Sequence, residues 1–199
     1  MTKNKTIREL LIAGEHNLLP TLSIDCVILG FHENQLKVLL VKHRHREMWA
    51  LPGGFIGKDE PTEAAAYRVL KERTGLSEIF LQQFHVFGET ERTQKEFHIQ
   101  DLKKDGISVS EDLWILQRFV TIGYYALVEF SKVSPATGTL TEKCDWWDIH
   151  SLPIMILDHR KIFDKALATL RMQLNYQPVG VNLLPEKFTM PELQKLYET

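Results

Sequence analysis

Two hydrophobic rhythms alternate along this chain, and the switches between them mark its elements. Leu22-Ser-Ile-Asp-Cys-Val-Ile-Leu-Gly30 and Gln35-Leu-Lys-Val-Leu-Leu-Val-Lys42 are apolar runs of strand length on either side of His32-Glu33-Asn34, which predicts a hairpin. Trp49-Ala-Leu-Pro-Gly-Gly-Phe55 continues as a short strand run broken by a glycine pair. A helix is predicted from about Pro61 to Thr74. Proline suits a first turn, Ala64, Ala65 and Ala66 favour helix, and Gly75 supplies the stop. Ile79 to Phe97 and Arg118 to Phe130 are rich in aromatic and β-branched residues, which predicts strands around a polar excursion from Gln100 to Glu111. From Asp158 onward, Ile162, Phe163, Ala166, Leu167, Leu170 and Leu174 form one stripe at helical spacing.

The ends read differently. Ile7, Leu10, Leu11 and Ile12 are interrupted by Glu9 and Glu15 and precede no cleavage site, so residues 1–20 form an arm with a short amphipathic helix. Residues 21–176 make one domain. Pro178, Gly180 and Pro185 make 177–188 a linker, and Thr189-Met-Pro-Glu192 is a capping-box pattern that opens a helix over 189–199. That helix is expected to end before it can pack on anything, as the truncated start of a further domain.

A chain of 199 residues that is 44% apolar can bury its own core. Its 24 Lys and Arg against 26 Asp and Glu, a net charge of -2, exclude a surface dominated by phosphate binding. No apolar run approaches the ~20 residues that cross a bilayer, so no membrane partner is expected. Cys26 and Cys144 lack metal-ligand spacing and are too few for a disulfide scaffold, which points to a reducing cytoplasm.

One spacing carries chemistry. Gly54, five residues, Glu60, seven residues, then Arg68-Val-Leu-Lys-Glu72-Arg-Thr-Gly75-Leu76 resembles the Nudix box. The resemblance implies an α/β (α+β) fold, a Nudix-type α/β/α sandwich with a mixed sheet, and structural roles for Gly54, Glu60, Arg68, Glu72 and Gly75. Working Nudix hydrolases carry glutamates at the places of residues 69 and 73, holding divalent cations. On a helix those positions are one turn apart, with Cβ atoms about 5–6 Å from each other. Here they are Val69, which offers no ligand, and Arg73, which repels a cation. No metal and no cofactor are therefore expected, with Mg²⁺ entering only for an active hydrolase using Glu60 and Glu72. Both carboxylates also have plain structural readings: Glu72 lies four residues after Arg68, and Glu60 lies near a helix N-terminus.

Asp158-His159, Ala166-Leu167, Leu170-Arg171, Tyr176, Pro178, Gly180, Leu183-Leu184-Pro185, Phe188-Thr189, Glu192-Leu193-Gln194 and Leu196-Tyr197-Glu198 together resemble the strap and first winged-helix element of the Nudix-related transcriptional regulators. That resemblance implies an ADP-ribose-like or sugar effector. It also implies operator DNA, bound through the full-length winged helix and not through this truncated chain, and a homodimer is expected. The stretch from about Thr93 to Gln117 is longer than the group's pattern.

The candidate ligand-binding residues are Arg44, Trp49, Gly53, Gly54, Phe55, Arg73, Arg92 and Arg118. Arg44 belongs to the basic run Lys42 to Arg46, which either attracts an anion or is a solvated loop. Trp49 and Phe55 either stack on a base or sugar or pack in the core. Arg92 and Arg118 either line the same cavity or are surface cations. His43 and His45 alternate but lack a third ligand, so they make no metal site.

Overall fold

The computed structural model describes residues 6–75, 79–92, 95–110, 113–137, 141–174, 176–177, 183–184 and 188–198. The elements, in chain order, are α1 (Ile7–Asn17), β1 (Leu18–His32), β2 (Gln35–His43), β3 (Trp49–Ala50), β4 (Gly53–Gly57) and α2 (Thr62–Thr74). They continue with β5 (Phe80–Phe87), α3 (Lys95–Lys104), β6 (Val120–Val128), β7 (Thr141–Asp148), α4 (His159–Leu174) and α5 (Met190–Tyr197), with single 3₁₀ turns at Thr90–Arg92, Trp114–Leu116 and Phe130–Lys132.

The seven strands form one mixed sheet in the order β3-β2-β1-β6-β5, with β4 paired to β1 and β7 paired to β2. β1 runs parallel to β6 from Leu22↔Val120 to Gly30↔Val128 and antiparallel to β2 from Ile28↔Leu39 outward. On the N-terminal side of Ile28 the two hairpin strands separate. β1 there pairs with β4 at Asp25↔Gly53, Ile24↔Gly54 and Ser23↔Phe55, while β2 goes on to β3 at Val41↔Ala50. The segment 49–57 is thus wedged into the fork between β1 and β2, and the Cys26 N–H donates to the Pro52 carbonyl at 2.8 Å.

Period-two alternation with both faces apolar explains why the sheet is buried on both sides. Ile24, Cys26 and Ile28 of β1 join Tyr124, Ala126 and Val128 of β6 in a cluster with Ala65, Ala66, Val69 and Leu70 of α2. Their strand neighbours Val27, Leu29, Tyr125 and Leu127 turn the other way, onto Ile162, Phe163, Ala166 and Leu170 of α4. The sandwich expected from the sequence is the architecture found. α2 ends as its glycine dictates: Gly75 takes φ 76°, a conformation costly for any residue with a Cβ, and its N–H donates to Lys71 O at 2.9 Å.

Two expectations are corrected. The strand predicted to reach Phe97 stops at Phe87, and residues 95–104 are helical. Phe97, Asp101 and Leu102 form the buried side of α3, so tertiary contact overrides the strand preference of the aromatic residues. α3 and the turn at Trp114–Leu116 close a third cluster with α1, in which Ile7, Leu11, Leu102, Ile115 and Leu116 are buried and Phe55 packs alongside. The C-terminal helix also has a partner: Leu193 of α5 packs against the α4-side core, beside Leu183 and Leu184. Most of the expected linker, 178–182 and 185–187, lies outside the described residues.

Candidate functional site

β4, the turn after it and α2 form a single hydrogen-bonded unit. Glu60 folds back beneath the turn, and its Oε2 accepts from the Gly57 N–H at 3.0 Å. Arg68 forks onto the same carboxylate, with Nε to Oε1 and Nη2 to Oε2 both at 2.8 Å, and Nη2 also donates to the Phe55 carbonyl at 2.9 Å. Arg68 therefore pins β4 and the turn to α2 through a bidentate, charge-assisted pair. The guanidinium holds the Glu60 carboxyl below its ordinary range, and the Gly57 N–H adds to this. Glu72 is the minor partner, 3.6 Å from Arg68 Nη1 and about half exposed.

The face that would carry metal ligands is filled differently. Val69 is 1% exposed inside the α2-side cluster, and a Cβ placed on Gly54 would come within 2.7 Å of its Cγ2. A glutamate at 69 would have to put a charge into that apolar contact, at several kcal/mol without a partner. Arg73, half-buried in the last turn of α2, is within electrostatic reach of the thiols of Cys26 and Cys144. Burial moves its guanidinium below the usual arginine range, opposed by Glu72, and its Nε is buried and donates to nothing among the described residues. Cys26 is wholly buried, which drives its thiol far up, and burial raises Cys144 to about 11. Glu60 is thus committed to Arg68, Val69 lies in the core and position 73 carries a cation, which leaves Glu72 as the half-exposed carboxylate of the box. Among the described residues, no three His, Cys, Asp or Glu side chains come together in a metal-binding group.

Behind β4 lies a buried polar knot that the sequence did not announce. Asp25 is 7% exposed, and Gly53 is required beside it, because a Cβ there would stand 2.6 Å from Asp25 Oδ1 and 2.7 Å from the Ile24 carbonyl. Arg92 forks onto Asp158 (Nε to Oδ2 2.9 Å, Nη2 to Oδ1 3.1 Å), donates Nη1 to Phe119 O at 3.1 Å and sits 3.6 Å from Asp25 Oδ2. His159 accepts the Leu51 N–H on Nδ1 at 2.9 Å, with Nε2 3.9 Å from Asp25. Asp25, Arg92 and Asp158 are 67 and 66 positions apart, and no local pattern signals such a meeting.

The fold gathers Gly53, Gly54 and Phe55 beside α2, which carries Arg73, sets Arg92 in the knot behind Gly53, and engages Trp49, Arg44 and Arg118 elsewhere. Phe55 packs edge-on to Trp114 at 4.8 Å, and Trp49 packs edge-on to Trp147 at 5.1 Å. Arg92 is committed to the buried knot. Arg118 is exposed, with Nη1 3.5 Å from Gly88 O. Arg44 pairs with Asp105 at 3.2 Å. A separate cavity of about 310 Å³ lies at the far end of β1, between the hairpin tip, Phe130 and Leu183-Leu184.

Residues 19–168 match the family model of the NUDIX domain, which is three quarters of the chain. The chain belongs to the NUDIX domain family. A curated relative, the ADPR responsive transcriptional repressor NtrR of Acinetobacter baylyi (strain ATCC 33305 / BD413 / ADP1), is 27% identical over 186 residues, which cover 90% of this chain and 66% of the repressor. The chain thus spans just under two thirds of that relative's length. Shewanella oneidensis NrtR, solved with a 27mer DNA, is 27% identical with TM-score 0.68, covering 89% of this chain and 74% of that one. The NUDIX domain of the same protein, solved with ADP ribose, is 25% identical with TM-score 0.55, covering 83% of this chain and 99% of that one. This NUDIX domain accordingly shares its sheet and helix layers with the NUDIX domain solved with ADP ribose, on a box that carries Val69 and Arg73. Among the described residues, no helix is long and apolar enough to cross a membrane.

Proposed function

We propose that this chain is the effector-sensing part of a transcriptional regulator, which binds ADP-ribose or a related sugar or nucleotide metabolite in the cytoplasm without hydrolysing it. The observation that carries this reading is the state of the Nudix box. Glu60 and Arg68 keep the box folded, while the metal-facing positions hold a core valine and a half-buried arginine. An anionic ligand beside Gly53 and Gly54 meets the positive charge of Arg73 where a hydrolase would present metal ions, so binding is favoured and water activation has no agent. The likeness to regulators characterised with ADP-ribose and with DNA supports the same reading. α5, tied to the core by Leu193, would open the winged helix that reads operator DNA in a longer product, which acts as a homodimer.

The test combines binding and turnover. ADP-ribose at a hundred times its dissociation constant adds ~2.7 kcal/mol and raises the melting temperature by about 5–10 °C, with or without EDTA. Turnover of ADP-ribose with Mg²⁺ or Mn²⁺ stays below ~1 s⁻¹, the low end of ordinary enzyme rates. A shift abolished by EDTA, or turnover above that rate, would favour a Nudix pyrophosphohydrolase using Glu60 and Glu72.

A further inference from the structure

Between β3 and β4 the chain changes partners, from β2 at Val41↔Ala50 to β1 at Asp25↔Gly53. Leu51 falls in that changeover and is 2% exposed, so its N–H is buried where no strand ladder receives it. A buried amide left unpaired is costly. His159, the first residue of α4 and 108 positions away, supplies the acceptor, its Nδ1 taking the Leu51 N–H at 2.9 Å.

That bond fixes the state of the ring. A nitrogen that accepts carries no proton, so Nδ1 is bare and the ring hydrogen sits on Nε2. His159 is 6% exposed, and Nε2 stands 3.9 Å from Asp25 Oδ1, beyond hydrogen-bond distance. The charged groups around the ring are Asp25 of β1, Arg92 of the turn after β5, and Asp158 next to it in the chain. Arg92 forks onto Asp158 at 2.9 and 3.1 Å and lies 3.6 Å from Asp25, so acids and base oppose each other there. Protonation changes one contact outright: Nδ1 turns from acceptor into donor and faces the Leu51 N–H, a second donor, at 2.9 Å. The Leu51 bond is then lost, and the imidazolium has Asp25 to close on with a charge-assisted bond. Leu51 is followed by Pro52, whose carbonyl takes the Cys26 N–H, and by Gly53 and Gly54, paired to β1, so release at Leu51 acts on the strand that carries both glycines.

We propose that His159 is a positioning residue for the segment 49–57, seating Leu51 and the glycines beside α2 when neutral and releasing them toward acid as it turns to Asp25, so that ligand binding there depends on pH. The proposal rests on the sensor reading only for the identity of the ligand. Its sign follows from linkage. The seated segment holds one proton fewer than the released one, so acid favours release. A ligand that needs the seated form loses up to tenfold in affinity for each pH unit below the point at which His159 takes its proton.

The experiment follows the full chain from about pH 8 to about pH 5, the range in which a histidine changes charge. Ring nitrogen NMR reports the protonation of His159, hydrogen exchange reports the protection of the Leu51 amide relative to its intrinsic rate at each pH, and calorimetry reports ADP-ribose affinity. In the wild type, ring protonation coincides with an at least tenfold drop in Leu51 protection and an at least tenfold loss of affinity. His159→Asn, whose Oδ1 stands where Nδ1 stood and takes no proton, keeps Leu51 protected and the affinity level throughout. His159→Phe, which has no acceptor, behaves at every pH as the wild type does in acid. Leu51 protection that holds while His159 takes its proton, a ring that stays neutral to the acid end, or a His159→Asn chain as pH-sensitive as wild type overturns the proposal. The wild-type spectra decide alone where a variant does not fold. ADP-ribose bound with level affinity while Leu51 lets go overturns the link to the ligand and leaves the sensor reading standing. A chain that binds no ADP-ribose at any pH, with Leu51 released by acid, removes the sensor reading and supports the hold of His159 on the segment.

Discussion

Replacing Arg92 by methionine separates a structural arginine from a ligand-binding one. The side chains of Arg92 and Asp158 are 5% and 12% exposed, and their fork closes at 2.9 and 3.1 Å, with Asp25 only 3.6 Å away. Methionine keeps most of the length but removes the charge, the bond to Phe119 O and both contacts to Asp158, leaving the buried Asp25 and the partly buried Asp158 without their arginine. Removing one partner of such a pair costs about 3–5 kcal/mol, mostly the penalty of the stranded charge. At about 2–4 °C per kcal/mol for a chain of this size, the thermal midpoint falls by about 6–20 °C. Urea unfolding followed by fluorescence of the four tryptophans measures the loss directly. The double variant Arg92→Met/Asp158→Leu regains part of it, because one stranded carboxylate is gone, and Asp25 accounts for the remainder. A single-variant loss below about 1 kcal/mol, with no recovery in the double, would mean that the fork is solvent-screened and would return Arg92 to the ligand-binding set.

Glu60→Gln destabilises at neutral pH, and the deficit relative to wild type shrinks as pH falls. The folded Glu60 carboxyl lies below its unfolded value of about 4.3, so its contribution is present above that pH and lost on descending through the lower folded value, a window that pH-resolved urea midpoints cover. Gly53→Ala, which drives a Cβ toward Asp25 Oδ1 and the Ile24 carbonyl, lowers stability by about 1–3 kcal/mol whether or not ligand is bound, a loss thermal melts detect and one that an unchanged midpoint would contradict. Leu193→Ala costs about 1–3 kcal/mol and speeds hydrogen exchange in 190–197, whereas a helix loosely attached to the core would show neither effect.

The sequence by itself determined whatever depends on neighbours within a few residues. The β1–β2 hairpin, α2 with its Gly75 stop and the α4 stripe were legible because strand alternation, capping and helical spacing are local properties. That residues 69 and 73 share a face was legible for the same reason, since one turn of helix fixes it, whereas the absence of carboxylates there was read from the resemblance to the Nudix box. Tertiary structure decided the rest. α3 formed where strand preference pointed the other way, because burial of Phe97 and Leu102 and the grip of Arg46 on Asp101 outweigh a propensity worth about 1 kcal/mol at most. Arg68 chose Glu60 over Glu72, eight residues back and not four ahead, because the turn after β4 brings that carboxylate within 2.8 Å. Asp25, Arg92, Asp158 and His159 met for a reason no spacing encodes: the sheet, the turn after β5 and the start of α4 converge behind Gly53, and a charge sheltered there needs a partner from whichever element arrives.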